Sequence, residues 1–356
     1  MDTQGTGIKP LVAELKGIRQ PHPPVWFMRQ AGRYLPEYQR LRRAEPDFLR
    51  FCATPALTIE AALQPLKRFP LDAAIVFSDI LVIPHALGRS VRFVEGEGPV
   101  LEPLTRAGEI EALTVGAVAD RLQPVFASVR GLKAALAALA GDVSLIGFAG
   151  SPWTLAVYMI EGRGGTQGER ARAFSYAQPA LFARLIERLS EAIVVSLQGQ
   201  VQAGADVLQL FDSWAGTLAA EPFRRWVIEP TAAIVRALKA SVPAVPLIGF
   251  PRGAGLGYRA YAMEIGLDAV SLDASVPPSW AADVMQPLVA VQGNLDNVLL
   301  ATGGEAMAAA VGRICTALAP GRFIFNLGHG VLPETPPEHV AAVAAQVRSW
   351  QRSARS

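Results

Sequence analysis

The chain of 356 residues contains only two cysteines and four histidines, which excludes several kinds of scaffold and site. Cys52 and Cys315 belong to no CxxC motif, so we expect no disulfide framework and two idle thiols of a reducing compartment. The histidines form no HxxxH or Cys/His pairing; they are His22, His85, His329 and His339. The sequence therefore predicts no metal site.

Neither sign of charge is in excess, because 33 Lys and Arg face 31 Asp and Glu, a net charge of +2. General nucleic-acid and membrane-surface binders carry a basic excess or a basic block, and the chain has neither. It also lacks a run of about 18 apolar residues and an apolar signal segment at the N-terminus. We expect a cytoplasmic protein with no nucleic-acid or membrane partner. An apolar content of 51% suits a large core and an oligomer interface.

Eight short apolar runs, each followed by polar or glycine-rich residues, are typical of strands buried on both faces of a parallel sheet. They are 25–28, 73–77, 143–148, 207–211, 245–250, 269–272, 288–291 and 322–325. Helical spacing of apolar residues fills most of the gaps, as in 179–201 and 337–350, where Thr335 and Glu338 suggest a capping box. Strands that alternate with helices predict right-handed βαβ units. We expect one domain over 1–356, a closed (β/α)8 TIM barrel, with a doubly wound sheet as the alternative.

Barrel enzymes carry their chemistry on the loops at the carboxyl ends of the strands. Loops also meet water there, so a single polar residue at such a position decides little, and the whole set is more informative. The polar residues that follow the predicted strands are Arg29, Asp79, Ser151, Asp212, Ser213, Arg252, Asp273, Asn294 and His329.

The most informative local pattern is MRQAGRYLP, residues 28–36. Arg29 and Arg33 are four residues apart, so both guanidinium groups can face one anion from the same side of a helical turn. Ala31 and Gly32 leave the intervening backbone N–H groups approachable. The alternative is a solvated helix face, but the adjoining apolar run favours an anion-binding pocket.

Three further side chains have both a structural and a functional interpretation. Asp79 stands between large apolar residues, where a carboxylate needs a cation or N–H donors; it either caps the next turn or holds a developing positive charge. Tyr158 follows a strand-to-helix turn and either reaches back to the strand end or packs in the core. His329 lies between two glycines, which favours a hydrogen-bonding or acid–base role over packing.

Taken in order, these segments resemble the uroporphyrinogen decarboxylase family over nearly the whole chain. The stretches that carry the resemblance are FMRQAGRYLPEYQ, RFPLDAAIVFSDILVIPHALG, GFAGSPWTLAVYMIEG, LQLFDSWAG, VQGNLD and NLGHGVLPETPPEHV. The resemblance implies a homodimeric (β/α)8 barrel that acts in tetrapyrrole (haem) synthesis. It also implies removal of CO2 from the four acetate side chains of uroporphyrinogen III, giving coproporphyrinogen III, with no cofactor or metal.

Carried over position by position, the resemblance implies a set of substrate contacts: Arg29, Gln30, Ala31, Gly32, Arg33, Arg42, Asp79, Tyr158, Ser213 and His329. Asp79 and Arg29 are the expected catalytic residues. Arg252 stands where relatives often carry lysine, which keeps the charge. An ionised Asp79 that accepts pyrrole N–H groups would stabilise the ring cation formed by protonation at carbon. The proton donor stays open: a substrate carboxylic acid is one candidate, and Arg29 has too high a pKa to be an easy acid.

Two rival functions remain at this point. A zinc-dependent methyltransferase of the same barrel superfamily would need a Cys/His ligand set, for which the two cysteines are not placed. A tetrapyrrole binder without activity would need the arginines but not Asp79.

Overall fold

The computed structural model describes residues 7–94, 96–139 and 142–352, and its architecture is an α/β fold around a parallel sheet. The strands are β1 (Ala73–Ile75), β2 (Val91–Val94), β3 (Gly98–Leu101), β4 (Ser144–Gly150), β5 (Val207–Asp212), β6 (Leu247–Pro251), β7 (Ala269–Ser271), β8 (Ala290–Leu295) and β9 (Phe323–Leu327). Seven of them form one curled sheet of order β1-β4-β5-β6-β7-β8-β9, with every neighbouring pair parallel. The prediction of a parallel sheet built from short buried runs is confirmed for seven of the runs.

Helices connect the strands and cover the outer face of the sheet. The α-helices are α1 (Pro10–Leu15), α2 (Pro36–Ala44), α3 (Phe48–Cys52), α4 (Pro55–Arg68), α5 (Val82–Ala86), α6 (Ala107–Glu111), α7 (Val118–Arg121), α8 (Gln123–Ala138), α9 (Pro152–Glu161), α10 (Glu169–Ala177), α11 (Pro179–Gln202), α12 (Ala220–Phe223), α13 (Glu229–Ser241), α14 (Gly257–Ile265), α15 (Pro278–Trp280), α16 (Asn297–Thr302), α17 (Gly304–Leu318) and α18 (Pro337–Arg348). Short 3₁₀ turns cover Val115–Ala117 and Ala215–Thr217, and π-helical turns cover Arg224–Ile228 and Ala281–Met285. None of the helices in the described ranges has the length and apolar character that crossing a bilayer requires.

The apolar core has two layers, one inside the curled sheet and one between the sheet and the helices. The inner layer combines one or two side chains from most strands with helix α1, which packs under the sheet. Leu11 of α1, Ile146 of β4 and Ile324 of β9 are all fully buried there. Strands with continuous apolar residues can be buried on both faces of the sheet, whereas strands that alternate apolar and polar residues would leave one face in water.

The first apolar run is not a regular strand, which corrects the predicted strand 25–28. Val25 forms one isolated parallel bridge to Phe325 of β9. On its other side its carbonyl accepts the N–H of Asp72, just before β1, at 2.9 Å, and its own N–H donates to the Asp72 carboxylate at 2.8 Å. The segment thus spans the space between β9 and β1, but a side chain replaces part of the backbone ladder.

Two further features differ from the sequence-based expectations. The antiparallel hairpin β2–β3 was not predicted; it lies between β1 and β4 outside the parallel sheet. The predicted capping box at α18 is wrong, because Pro336 occupies the N-cap position and no side chain caps the helix. The connection between the first two runs carries the helices α2, α3 and α4.

The two ends of the described chain are joined by a buried ion pair beneath the sheet. The Arg352 guanidinium donates to both carboxylate oxygens of Glu14 at 2.8 Å, and the two side chains are only 2% and 1% exposed. Glu14 also accepts the N–H of Phe323 at the start of β9. Helix α1 is therefore linked through Glu14 both to Arg352 and to β9 of the sheet that it covers.

Candidate active site

Arg29 adopts a strained backbone conformation where the first apolar run ends. Its φ of 60° makes it the one non-glycine residue with a positive φ in the described ranges, a conformation that costs about 1–3 kcal/mol and persists only when neighbours enforce it. Here the Asn326 side chain accepts the Met28 N–H at 3.0 Å, and Val331 N–H donates to Met28 O at 2.9 Å. The chain is thereby turned so that the Arg29 side chain is exposed and lies over Gly330, where a Cβ would clash with Arg29 Cδ.

The residues after Arg29 divide into a buried anchor and an open turn. Gln30 is 1% exposed, and its amide donates to Ala73 O at 3.0 Å and accepts from Phe27 N–H at 3.1 Å. Its side chain therefore joins the first segment to β1, and the implied contact with substrate stays a prediction. In the described part of the chain, the backbone N–H groups of residues 31–33 donate to no protein acceptor, and the Arg33 side chain is exposed. An open turn of this kind, with Arg29 and Arg33 at its ends, can receive an anion.

Arg42 makes its own set of contacts on α2. Its guanidinium stacks over the rings of Phe48 and Phe51 at 5.0 and 5.4 Å, and it donates to the carbonyls of Glu45 and Pro46. These bonds occupy part of its planar fork and close the end of the helix. Its implied role toward substrate remains a prediction.

Asp79 follows β1 and is half-buried. Its Oδ1 accepts the Leu81 N–H at 2.8 Å, a local turn contact just before α5, while its Oδ2 accepts no hydrogen bond from any described residue. Burial raises the pKa of Asp79, whereas the Leu81 N–H and the nearby Arg29 guanidinium act in the opposite direction. The carboxylate thus keeps one oxygen available for N–H donors from a ligand, and such donors would favour its ionised form.

Tyr158 lies on α9 within electrostatic reach of both Asp79 and Arg29. Burial, and then the Asp79 charge, raise the pKa of its phenol to about 12, so the hydroxyl keeps its proton at neutral pH. The ring packs edge-on against Trp214 with 4.7 Å between centroids, and the Trp214 indole donates to Thr166 O at 2.9 Å. The phenol is therefore a rigidly held hydrogen-bond donor.

Ser213, Arg252 and His329 meet in a cavity of about 480 Å³ at the carboxyl ends of the strands. The cavity is lined by Gln167, Ser213, Gly216, Thr217, Arg252, Gly253, Asp273, Ala274, Ser275, Asp296, Asn297, Gly328 and His329. Burial, followed by the positive charges of Arg29 and Arg252, lowers the pKa of His329 to about 4, with Asp273 acting in the opposite direction. The imidazole is therefore neutral at pH 7, so one ring nitrogen donates a hydrogen bond and the other accepts one.

The predicted residues are thus brought together in two adjoining groups. Arg29 acts on the pKa of both Asp79 and Tyr158, and Asp79 acts on that of Tyr158, so these three side chains form the first group. Ser213 and His329 belong to the cavity, and Arg29 connects the two groups through its effect on His329. Their roles in binding and catalysis stay predictions.

Two supporting residues were missed from sequence. Trp214 supports Tyr158 and directly follows the predicted Ser213, while Asn326, three residues before His329, holds the turn at Met28. In both cases the sequence signal that could have identified the residue is its closeness along the chain to a predicted site residue.

Comparison with known proteins identifies relatives along almost the whole chain. The profile of the uroporphyrinogen decarboxylase (URO-D) family matches residues 6–350. A uroporphyrinogen decarboxylase from Rhodospirillum rubrum is 52% identical over 341 residues, which covers 96% of this chain and 97% of the relative. One from Sphingopyxis alaskensis is 48% identical over 340 residues, 96% of this chain and 98% of the relative. The chain belongs to the uroporphyrinogen decarboxylase family.

Members of the uroporphyrinogen decarboxylase family share their fold with other enzymes, as one solved structure illustrates. A methyltransferase from Methanosarcina mazei superimposes with a TM-score of 0.78 at 19% identity, covering 97% of this chain and 99% of that one. At that identity the likeness concerns the fold alone. Within the described ranges, no three His, Cys, Asp or Glu side chains are grouped so as to hold a metal ion. Both cysteines are buried, and burial raises the pKa of each thiol.

Proposed function

We propose that this member of the family decarboxylates the four acetate side chains of uroporphyrinogen III, releasing four CO2 and coproporphyrinogen III without a metal or cofactor. Family membership over residues 6–350 supports the reaction class. The observation that carries the assignment to this site is Asp79, a half-buried carboxylate with one oxygen free, beside Arg29 and the phenol of Tyr158.

The reaction needs an electron sink for the bond that breaks. Protonation of the pyrrole at its α-carbon makes the ring a cation, and the electrons of the bond to CO2 then flow into that ring as CO2 departs. A proton on the resulting exocyclic carbon gives the methyl group, and loss of the ring proton restores the pyrrole. Each cycle thus consumes one proton per acetate and requires no oxidant or reductant.

Asp79 is the group that would stabilise the ring cation. Its free oxygen can accept pyrrole N–H groups, and a negative charge held in place before the reaction stabilises positive charge that develops during it. Arg29 would hold the carboxylate that leaves, because a guanidinium binds carboxylate through two hydrogen bonds and stays charged. A carboxylic acid of the substrate is the candidate proton donor.

The remaining residues would bind and orient a substrate with eight carboxylates. Arg33 and the open N–H groups of residues 31–33 offer donors beside Arg29, while Arg42 adds positive charge on α2. Gln30 would act through the position of its backbone. Ser213, Tyr158 and the neutral His329 would donate single hydrogen bonds. Orientation of the reacting arm is itself a large part of the rate advantage of an enzyme.

We also propose the complete assembly that the resemblance implies. Residues 1–356 would form one domain, a closed (β/α)8 barrel in which the segment around Val25 serves as the first strand, supported by its bridge to β9 and its bonds to Asp72. The protein would be a cytoplasmic homodimer. A monomer in sedimentation experiments at micromolar concentration would contradict the dimer.

The test of the site is replacement of Asp79 by Asn and by Ala. Both variants should lose turnover by orders of magnitude, because neither leaves a charge to stabilise the ring cation. Asp283→Asn is the matched control, since Asp283 is exposed and makes no hydrogen bond or ion pair with any described residue. Near-normal turnover in Asp79→Asn would refute the cation-stabilising role. Substrate binding without any CO2 release by the unmodified protein would favour a tetrapyrrole binder.

A further inference from the structure

Arg252 occupies a rigid position at the end of β6, on the wall of the cavity. Its N–H donates to Asp212 O and its carbonyl accepts the Gly216 N–H, both at 3.0 Å. The next N–H, that of Gly253, donates to Asp273 Oδ2 at 2.7 Å. These bonds tie the loop after β6 to the loops after β5 and β7. Because these bonds hold the Arg252 backbone in place, its side chain can be directed into the cavity with little further loss of backbone conformational entropy.

The Arg252 guanidinium itself has no partner among the residues that the structure describes. It is exposed, it lines the cavity, and it forms neither a hydrogen bond nor an ion pair with any of the residues that the structure describes. The acid nearest to its loop, Asp273, is already saturated. Asp273 accepts from Tyr258 OH at 2.7 Å, from Ser275 N–H at 2.9 Å and from the Ser275 hydroxyl, in addition to Gly253. Asp273 therefore has little capacity left to accept hydrogen bonds from Arg252.

The surroundings of Arg252 favour an anion. Burial, and then the positive charges of Arg29 and Arg252, lower the pKa of His329, so both guanidinium groups act on this part of the cavity. Asp273 and Asp296 also line the cavity, but neither forms an ion pair with Arg252, so the guanidinium keeps its hydrogen-bonding fork open to an anion from outside the described residues. Ser213 adds a hydroxyl to the same cavity.

We propose that Arg252, together with Ser213 and His329, forms a second carboxylate-binding subsite that holds an arm of the substrate other than the one reacting beside Asp79. This inference rests on the proposed function, since it takes the porphyrinogen as the ligand. Arg29 lies beside Asp79 and serves the reacting arm, so Arg252 serves a carboxylate that keeps its place while CO2 leaves. A contact of this kind contributes equally to the bound substrate and to the transition state, and it therefore acts on KM and not on kcat.

The test compares Arg252→Gln, Arg252→Lys and a control, Arg259→Gln, with uroporphyrinogen III under anaerobic conditions. Arg259 is exposed on α14 and has no partner among the described residues. Loss of a charged hydrogen-bonding pair should raise KM about 10- to 100-fold in Arg252→Gln with kcat within about threefold of wild type. Lysine should restore part of the affinity, because it keeps the charge but not the fork. A KM for Arg252→Gln within twofold of wild type would overturn the subsite.

The same variants tell which arm is bound. Acetate carboxylates disappear as the reaction proceeds, whereas propionate carboxylates are retained. An equal rise in KM for the eight-carboxylate and five-carboxylate porphyrinogens supports the subsite and identifies a propionate. A rise confined to the eight-carboxylate substrate supports it and identifies an acetate.

A second readout does not depend on activity. Titration of the His329 imidazole by NMR should give a higher pKa in Arg252→Gln than in wild type or Arg259→Gln, because one of the two positive charges that oppose protonation is gone, while Arg29 and Asp273 remain. An unchanged pKa would place Arg252 away from His329 and overturn the subsite. Wild-type protein without turnover would contradict the proposed function and the subsite with it. Normal wild-type turnover with unchanged KM in Arg252→Gln would contradict the subsite alone.

Discussion

Asp212 at the end of β5 is fully buried and provides a test of the electrostatics beneath the active site. Its Oδ1 accepts the Thr154 hydroxyl at 2.6 Å, and its Oδ2 has no partner among the described residues. Burial raises the pKa of this carboxyl to about 7, against an ordinary value of 3.8. The folded protein therefore keeps the Asp212 proton between about pH 4 and pH 7, whereas the unfolded chain loses it.

Whether the free energy of unfolding rises or falls with pH depends on which state, folded or unfolded, binds the Asp212 proton more tightly. Between these two pKa values the folded state holds one more proton than the unfolded state, so the free energy of unfolding falls as pH rises. Each pH unit changes it by about 1.4 kcal/mol, which amounts to about 4 kcal/mol over the whole window. Asparagine cannot ionise and can still accept from Thr154. The variant Asp212→Asn should therefore match wild type near pH 4 and exceed its stability above pH 7.

The assay is urea unfolding followed by far-UV circular dichroism at pH values from 4.5 to 8.5. The difference in free energy of unfolding between Asp212→Asn and wild type should grow with pH and level off above about pH 7. Asp283→Asn, which removes an exposed carboxylate, should stay parallel to wild type. Parallel curves for Asp212→Asn and wild type would refute the assignment of a neutral, buried carboxyl at this position.

Three further predictions concern other parts of the molecule. Arg352→Ala leaves the Glu14 carboxylate buried without its cation, so unfolding in urea should show a loss of about 3–5 kcal/mol; a loss below 1 kcal/mol would contradict the buried pair. Arg33→Ala removes an exposed guanidinium beside the open turn and should raise KM for uroporphyrinogen III with little change in the urea midpoint, and an unchanged KM would argue against this contact. Cys52 and Cys315 are buried with raised pKa values, so an aromatic disulfide reagent should label them only as the protein unfolds, whereas rapid labelling of native protein would contradict their burial.

Much of the sheet could be predicted from sequence, because strands buried on both faces carry uninterrupted apolar residues. The segment at Val25 could not be resolved in this way, since its apolar pattern is that of a strand but its N–H bonds to the Asp72 side chain. The hairpin of β2 and β3 escaped prediction because its strands are short and only partly buried. The start of α18 at Pro337 was predicted, but its capping residue was not, because Pro336, one residue after Thr335, takes the N-cap position.

The candidate site was predictable in its residue types and less so in its electrostatics. Charged residues that follow the predicted strands can be identified in the sequence, and the family resemblance assigns them to one site. The positive φ of Arg29 depends on Asn326 and Val331, which lie about 300 residues away along the chain. The lowered pKa of His329 depends on burial and, after that, on the charges of two arginines from other loops. Such properties arise only when the loops meet in three dimensions.

The most direct test of the account is an anaerobic assay of purified protein, freed of metal by a chelator, with uroporphyrinogen III as substrate. Products are separated by their number of carboxylates, with Asp79→Asn run in parallel. The wild-type protein should give successive seven-, six-, five- and four-carboxylate porphyrinogens, and the variant almost none. Folded wild-type protein that releases no CO2 until metal is restored would contradict the central claim.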